Sequence, residues 1–374
     1  MLDQVAKLIM DTLASAVSML NSASVWIVFS FAVAGIIHEF VDAGKLQKAA
    51  VGSTKISGLI SATISGFLLP ICSCGTIPLG VSLYYSGAYL GPVLAFMTST
   101  PMINPIALIL SFGLLGPQIA LIYFITGLVA PMIIGLIGNK FGGNELYYAP
   151  AYENQKKINL NFAQEKPPIS KRFKSGLNWA FTDLAVVISK YTVSGMIIAG
   201  LLFAVIPQSA IQTYLGNPGV VSLLGITIVA ALMYVCAVGH IPFIAAVVAS
   251  GAAPGVAITF LMAGCATNIA ELITIGKTIG KRAVTMYAIT VTLLSLIAGL
   301  TANALLPDFQ PVLDYDAITH SINSANAFIV AFPDWLCYIC TGVLICYAIF
   351  ALYRIIRKKM KEDKLRRNAS ANAE

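Results

Sequence analysis

Residues 71–109 of this chain are repeated, without a gap, at residues 235–273. At an offset of 164, twelve of these thirty-nine positions are identical, whereas ordinary residue frequencies would give about two or three. The identities are concentrated in Cys, Gly, Pro and Asn, among them Cys72 with Cys236, Pro78 with Pro242 and Asn104 with Asn268. A duplicated apolar unit with Gly and Pro interruptions at matching places is typical of transporter folds, whose binding sites lie between the two copies.

The composition is that of a membrane protein. Hydrophobic residues make up 58% of the chain and charged residues 10%, well below the roughly 25% charge of soluble domains. Apolar runs of bilayer-spanning length recur along the chain. We therefore expect an all-α polytopic membrane protein. The formal net charge of +7 is confined to a few loops and a tail, so it indicates membrane topology and contact with anionic lipid rather than a nucleic-acid partner.

The spacing of the apolar runs predicts two repeats of about five elements each, followed by one more transmembrane helix. The first copy should contain spans at 23–42, 56–72, 90–112 and 116–138 with a short segment at 76–88, and the second spans at 190–207, 217–236, 255–274 and 283–305 with a short segment at 239–250. The predicted segments are an amphipathic N-terminal helix (1–22), a first membrane repeat (23–138), a cytoplasmic linker (139–175), a second membrane repeat (176–305), an extracytoplasmic loop (306–327), a C-terminal transmembrane helix (328–352) and a basic cytoplasmic tail (353–374), disordered from residue 360.

Loop charges predict the orientation. Lys and Arg cluster in the linker, in the tail and in the turns at 43–55 and 275–282, whereas 306–326 holds three Asp and no Lys or Arg. Positive loops stay inside, so we expect a multi-pass inner-membrane protein with a cytoplasmic C-terminus. An odd number of elements per repeat would invert the second copy, giving two inverted-topology repeats.

The segment Pro70-Ile71-Cys72-Ser73-Cys74-Gly75-Thr76-Ile77-Pro78 predicts a break in a membrane helix. Breaks of this kind are tolerated only where they are buried in protein or line a cavity. Thiolates prefer soft ions such as Cu(I), Zn(II) and, by the same logic, trivalent arsenic. Cys72, Cys74 and the duplicated Cys236 are therefore candidate soft-metal ligands, although buried membrane cysteines also serve as small packing residues.

A second break is predicted at Thr98-Ser99-Thr100-Pro101-Met102-Ile103-Asn104-Pro105, because Pro101 and Pro105 interrupt the helix. Its counterpart at 263–268 contains Cys265 and Asn268. The two asparagines are expected to line a common site, to cap the half-helices that follow them, or to do both. Non-helical backbone is expected at 72–76, 99–105, 236–240 and 263–268, with Pro78 and Pro242 as further helix-breaking residues.

Few ionisable residues lie within the predicted spans. Glu271 follows Asn268 by one turn, and His240 follows Gly239 in the second copy of the Cys motif. Intramembrane ionisable residues suggest function by default, so both are candidate proton-coupling groups. The alternatives are an interfacial position for Glu271 and a boundary position for His240. Cys337 and Cys340 form a CxxC pair on the last span, outside the repeat, which favours helix packing over redox chemistry.

At Cys-Ser-Cys-Gly, Ser-Gly-Ala and Thr-Pro-Met-Ile-Asn-Pro, the chain resembles the ArsP-like predicted permeases, which include organoarsenical and soft-metal efflux proteins. The resemblance covers roughly 23–138 and 190–305. It implies a permease in which Cys72 and Cys74 form a thiol pair and Pro101, Asn104 and Pro105 form the second broken element.

The sequence thus predicts a permease rather than an enzyme, moving a trivalent arsenical or a Cu- or Zn-type ion outward by alternating access. Cys72, Cys74 and Cys236, with Cys265, would bind the substrate beside Asn104 and Asn268, and Glu271 and His240 would couple protons. No nucleotide motif and no cofactor are expected, and a homo-oligomer is compatible with the sequence. Three alternatives stay open: a transporter of a sulfur-containing anion or small thiol, a membrane thiol oxidoreductase using Cys72/Cys74 and Cys337/Cys340, and a non-transporting subunit of a larger complex.

Overall fold

The computed structural model describes residues 2–40, 54–69, 73–150, 168–205, 219–232, 237–249, 252–307, 309 and 332–371. Every regular element in these ranges is a helix. Five segments of the described ranges are long and apolar enough to cross a membrane, one of them the broken segment Pro254–Thr278. A sixth span results if the bent pair Leu90–Met102 and Pro105–Leu114 is counted as a single crossing. This confirms the prediction of an all-α polytopic membrane protein.

Fourteen helices are numbered in chain order. They are α1 (Leu2–Phe40), α2 (Ile56–Leu68), α3 (Ser73–Tyr85), α4 (Leu90–Met102), α5 (Pro105–Leu114), α6 (Pro117–Phe141), α7 (Ile169–Trp179), α8 (Ala185–Val205), α9 (Val220–Leu232), α10 (Ala237–Ala249), α11 (Pro254–Ala266), α12 (Ile269–Thr278), α13 (Lys281–Leu305) and α14 (Asp334–Ala371). A short 3₁₀ turn (Gly143–Glu145) follows α6, and a π-helical segment (Ala180–Leu184) joins α7 to α8.

The repeat extends to the helix boundaries. Helices α2 to α6 and α9 to α13 begin and end at positions related by the same offset of 164. Within each copy the first, third and fifth helices pack together, so α4 lies between α2 and α6, and α11 lies between α9 and α13. Across the copies α3 packs on α12 and α5 packs on α10, and α4 and α6 also contact α11 and α13. The two copies therefore share one core.

Two asparagines mark the two ends of this core. Asn139, near the end of α6, accepts from the Gly91 N–H at 3.0 Å and donates to the Thr54 carbonyl at 3.1 Å. Asn303, near the end of α13, accepts from the Gly255 N–H at 2.7 Å. We call the first the linker end, because residues 143–148 and the turn between α12 and α13 also lie there, and the second the opposite end. The 25 residues of α13 separate the two ends by about 37 Å.

The pair α2 and α3 departs from the predicted span at 56–72. Each helix has 13 residues, about 20 Å, which is too short to cross a bilayer. Helix α2 begins at the linker end, and α3 ends there, because the Tyr84 hydroxyl donates to the Glu145 carbonyl at 3.0 Å. At its other end α2 approaches the last turn of α4, where Ser99 Oγ donates to the Thr63 carbonyl at 2.7 Å. The two helices thus form a V that enters from one side, with α4 packed against both.

Three other boundaries differ from those predicted. Helix α1 runs unbroken through the predicted limit at residue 22, because nothing between Leu2 and Phe40 interrupts it. The last helix starts at Asp334 and continues to Ala371, so the tail is helical beyond residue 360 rather than disordered. Pro78 lies inside α3 instead of ending a helix. It stands in the second turn of α3, where little helix precedes it to be disrupted.

Helices α1, α8 and α14 pack on one another beside the repeat core. Ser24 Oγ donates to the Cys337 carbonyl at 3.0 Å and Thr341 Oγ1 to Asn21 Oδ1 at 3.1 Å, which joins α14 to α1. Cys337 and Cys340 are free thiols on this outer helix. The short helix α7 crosses the end of α1, where Gly176 and Gly35 are in backbone contact.

Candidate functional site

The most enclosed elements of the protein are α4 and α11, in which all 13 residues of each helix are buried. Each ends at a break of two residues, Ile103–Asn104 after α4 and Thr267–Asn268 after α11. The chain then continues as α5 or α12. The axes of α4 and α5 differ by 41°. The breaks lie in the middle of broken spans at equivalent positions of the two repeats, as the sequence predicted.

Both breaks are narrower than predicted. Residues 99–102 and 263–266 are helical, and so are 73–76 and 237–240, where further non-helical backbone was expected. Pro101 lies in the last turn of α4 and does not end it. Pro105 ends the helical run, because the residue before a proline is driven to extended backbone. Asn104 accordingly has φ −134° and ψ 162°. The second copy lacks this proline, and its Asn268 is extended at φ −66° and ψ 149°.

The two asparagines cap the half-helices that follow them. Asn104 Oδ1 accepts from the Ala107 N–H at 2.8 Å, and Asn268 Oδ1 accepts from the Glu271 N–H at 2.9 Å. Such caps satisfy backbone donors that a helix start leaves unpaired, which inside a membrane no water would satisfy. Both asparagines therefore act as helix caps, one of the roles predicted from the sequence.

Only the second break carries a carboxyl group. Glu271 is fully buried, and its Oε2 accepts from Asn268 Nδ2 at 3.1 Å. Its Oε1 accepts from the Tyr287 hydroxyl at 3.3 Å, and Tyr287 lies beside Thr98 of the first repeat. Among the described residues the single ion pair joins Arg172 to Glu39, so Glu271 is held by neutral donors. It lies inside the protein, in the first turn after the second break.

Sequence reasoning missed two buried tyrosines at this site. Tyr123 and Tyr287 are both fully buried, and they occupy equivalent positions of α6 and α13. Tyr287 donates to Glu271, whereas Tyr123 donates to the Met102 carbonyl, which the break leaves without a helical partner. Extending the 164-residue comparison beyond residue 109 would have found them, because Tyr123 matches Tyr287 as Asn139 matches Asn303.

The structure describes only part of the predicted thiol cluster. Cys72, Cys236 and the side chains of Cys74 and Pro242 lie outside the described part of the structure. Cys265 is fully buried in the last turn of α11, beside the break. His240 lies in the first turn of α10, with its ring 6.2 Å from that of Phe260. Within the described ranges no group of three metal-ligating side chains occurs. Because the side chains of Cys72, Cys74 and Cys236 lie outside these ranges, the structure does not test the predicted cluster.

The linker end is closed by contacts that the linker and the first repeat make with the second repeat. The Glu145 carboxylate accepts from the Ala283 N–H at 2.6 Å and the Arg282 N–H at 3.2 Å, which caps α13. The Tyr85 hydroxyl donates to the Thr278 carbonyl at 3.0 Å. The residues equivalent to Tyr84, Tyr85 and Glu145 are Val248, Ala249 and Phe309, so these three polar side chains are not duplicated in the second copy.

A family profile described as a predicted permease, ArsP_1, matches residues 8–304. The chain belongs to this family. Within the permease the match covers both repeats and every residue of the two breaks. The fold and the family together identify a multi-pass membrane transporter, which implies a lipid bilayer and a small-molecule substrate.

Three relatives of the permease are informative. It is 26% identical to the UPF0718 protein MJ0584 of Methanocaldococcus jannaschii over 334 residues, covering 75% of this chain and 91% of the relative. It is 29% identical to the UPF0718 protein YcgR of Bacillus subtilis over 133 residues, covering 35% and 45%. It is 26% identical to a putative two-component membrane permease complex subunit of Streptococcus mutans over 108 residues, covering 29% and 36%. No solved structure matches the chain.

Proposed function

We propose that this permease works by alternating access between two inverted repeats in the inner membrane, with its C-terminus in the cytoplasm. The observation that carries this is the duplicated break, two capped half-helices at equivalent positions of two fully buried elements. In support of inversion, α4 starts beside Asn139 at one end of the core, whereas its counterpart α11 starts beside Asn303 at the other. Transporters with inverted repeats bind substrate at such interrupted helices.

The proposed substrate is a soft metal or metalloid, exported from the cell. Cys72 and Cys74 flank the start of α3, and Cys236 directly precedes α10 at the equivalent position. Helix α3 packs on α12 and α10 on α5, so the helix that follows Cys72 or Cys236 in sequence contacts the half-helix that follows the other repeat's break. Three thiolates suit a trivalent arsenical or a trigonal soft metal. Cys265 is the fourth candidate ligand, and Asn104 and Asn268 hold the half-helices in place.

Resistance assays test the thiol proposal. Ser in place of Cys72, Cys74 or Cys236 should abolish resistance to trivalent arsenicals or Cu(I), with protein levels unchanged. Cys337→Ser and Cys340→Ser are matched controls on α14 and should have little effect. A triple Ser variant that still confers resistance would exclude thiol coordination.

We further propose that Glu271 is the proton-coupling group, with His240 as its partner in proton transfer. A buried carboxyl group held by Asn268 and Tyr287, with no cation paired to it in the described ranges, can take up and release a proton without breaking an ion pair. Soft-ion binding releases protons from thiols, and these groups would accept them. Glu271→Gln in vesicles should then abolish uphill transport driven by a pH gradient while leaving substrate exchange intact. Loss of exchange as well would instead assign Glu271 to substrate binding.

A second candidate function is transport of a sulfur-containing anion or small thiol. The starts of α5 and α12 lie at the breaks, and helix N-termini favour anions. At α12 the Glu271 carboxylate already occupies the first turn, whereas α5 has Ala107 there. Competition by sulfite or a small thiol in the triple Ser variant would support this alternative.

Two other classes have less support. A thiol oxidoreductase would need Cys337 and Cys340, and these lie on the outer helix α14. A subunit role draws on the Streptococcus mutans relative, which is named as one subunit of a two-component membrane permease complex. Transport by the purified chain alone in vesicles would exclude a dependence on a second subunit.

A further inference from the structure

The short helix α7 is fixed rigidly across the end of α1. Arg172 donates to the Glu39 carbonyl at 2.7 Å, and the Trp179 ring stacks on His38 with 3.7 Å between ring centroids. A Cβ atom added at Gly176 would lie 2.4 Å from the Gly35 carbonyl oxygen, so only glycine permits this crossing. These three residues are spaced four and three apart and form the face of α7 that contacts α1.

A second face of α7 is apolar and points away from the protein. Ile169, Phe173 and Leu177 are each four residues apart, which places them in one stripe. Ile169 is 73% exposed and Phe173 is 45% exposed. The apolar span of α1 runs from Ala23 to Phe40, so α7 lies where that span leaves the hydrocarbon layer.

A third face is basic. Lys171, Lys174 and Asn178 are exposed and lie on one side of the helix, about 130° from the apolar stripe. The helix contains no acidic residue. An open surface groove of about 700 Å³ lies between the two faces and is lined by Lys171, Phe173, Lys174, Ser175, Leu177 and Asn178. It combines two cations and two neutral donors with two apolar side chains.

We propose that α7 is an interfacial helix whose open surface groove binds an acidic phospholipid. The acyl chains lie along Phe173 and Leu177, and the phosphate is bound by Lys171 and Lys174 with donors from Ser175 and Asn178. Charge complementarity selects this occupant. At the end of a membrane span, a basic face meets anionic headgroups, and the apolar face beside it meets acyl chains. Because α7 is held on α1 and leads into α8, the bound lipid fixes the depth at which both spans sit. The proposal requires only that the chain spans a bilayer and is independent of the transported substrate.

Fluorescence quenching tests the proposal. The chain has 3 Trp residues, and Trp26→Phe with Trp335→Phe leaves Trp179 at the end of α7 as the single reporter. The protein is placed in vesicles containing phosphatidylglycerol or phosphatidylcholine brominated on the acyl chains. We expect stronger quenching by brominated phosphatidylglycerol. Lys171→Gln with Lys174→Gln should lower the preference by about 30-fold, since each lysine near an anionic surface contributes about 1 kcal/mol.

Two control variants separate a local site from overall charge. Lys171→Arg with Lys174→Arg keeps both cations and should retain the preference. Lys277→Gln with Lys281→Gln removes the same charge from exposed positions at the linker end and should leave it unchanged. Equal quenching by the two lipids in the parent protein would overturn the proposal. So would an equal loss in the Lys277/Lys281 variant, which would assign the preference to net charge.

Discussion

At the scale of single residues, the two breaks share a cap and differ in charge. Asn104 and Asn268 make the same bond to the third backbone N–H that follows them. Position 107 is Ala and position 271 is Glu, so the Asn268 amide also donates to a buried carboxylate. The sequence sufficed to single out Asn104, Asn268 and Glu271. It did not reveal the Tyr287 contact, because the bond between residues 271 and 287 depends on how α12 packs against α13.

This difference predicts unequal effects of removing the two caps. Asn104→Ala removes one capping bond and should lower the free energy of unfolding by about 1 kcal/mol. Asn268→Ala also leaves a buried carboxylate oxygen without its donor, so the loss should be about 2–3 kcal/mol. Asn268→Ser restores a capping oxygen but not the amide donor and should fall between them. Unfolding in denaturing detergent measures all three, and equal losses at the two positions would contradict the asymmetry.

At the scale of elements, the Glu145 cap on α13 is the clearest contact between the linker and the second repeat. Gly280 immediately precedes α13, and a Cβ atom there would lie 2.0 Å from the Glu145 carboxyl carbon. The backbone of Gly280 is extended, with φ 161°, a conformation that any residue adopts. Glycine is required there because a side chain would collide with Glu145. The flexible Glu145 side chain is what an alanine at position 280 would displace.

Gly280→Ala and Glu145→Ala should therefore have similar effects that do not add. Each removes the carboxylate from the start of α13 and should cost about 1–2 kcal/mol, while the double variant should cost little more than either. The coupling is measured by a double-mutant cycle. Gly116→Ala is the matched control, because the equivalent Gly116 has φ +84° and no neighbour within 4 Å. Its cost comes from backbone strain and should add fully to that of Glu145→Ala, and additivity at Gly280 would refute the displacement.

At the scale of the whole molecule, the two copies of the repeat have the same helix boundaries at an offset of 164 residues and pack against each other as one structural unit. Pattern reasoning identified the duplication and the all-α membrane class, but it counted 56–72 as a span. A run of apolar residues indicates that a segment lies in the membrane and does not indicate whether it crosses. The contacts of Thr54 and Tyr84 at the linker end show α2 and α3 entering and leaving on one side.

The proposed inverted topology predicts opposite labelling of equivalent residues. Phe141 and Leu305 end α6 and α13, are separated by the repeat offset, and are 48% and 67% exposed. In a background lacking all 7 cysteines, Cys at position 141 should react with an impermeant maleimide only from the cytoplasm, and Cys at position 305 only from outside. Labelling of both from one side would show a parallel arrangement.

The sequence by itself determined the membrane class, the duplication, the position of both helix breaks and the single buried acid beside one of them. These depend on local chemistry: apolar runs exclude water, Pro105 forces Asn104 into extended backbone, and Asn caps the helix that follows. Only the tertiary structure decided that α2 and α3 form a V, that Pro101 leaves α4 intact, and that Tyr287 donates to Glu271. The physical reason is that these features arise from contacts between segments far apart in the chain. The 164-residue offset shows which residues are equivalent, but it does not show which residues are in contact.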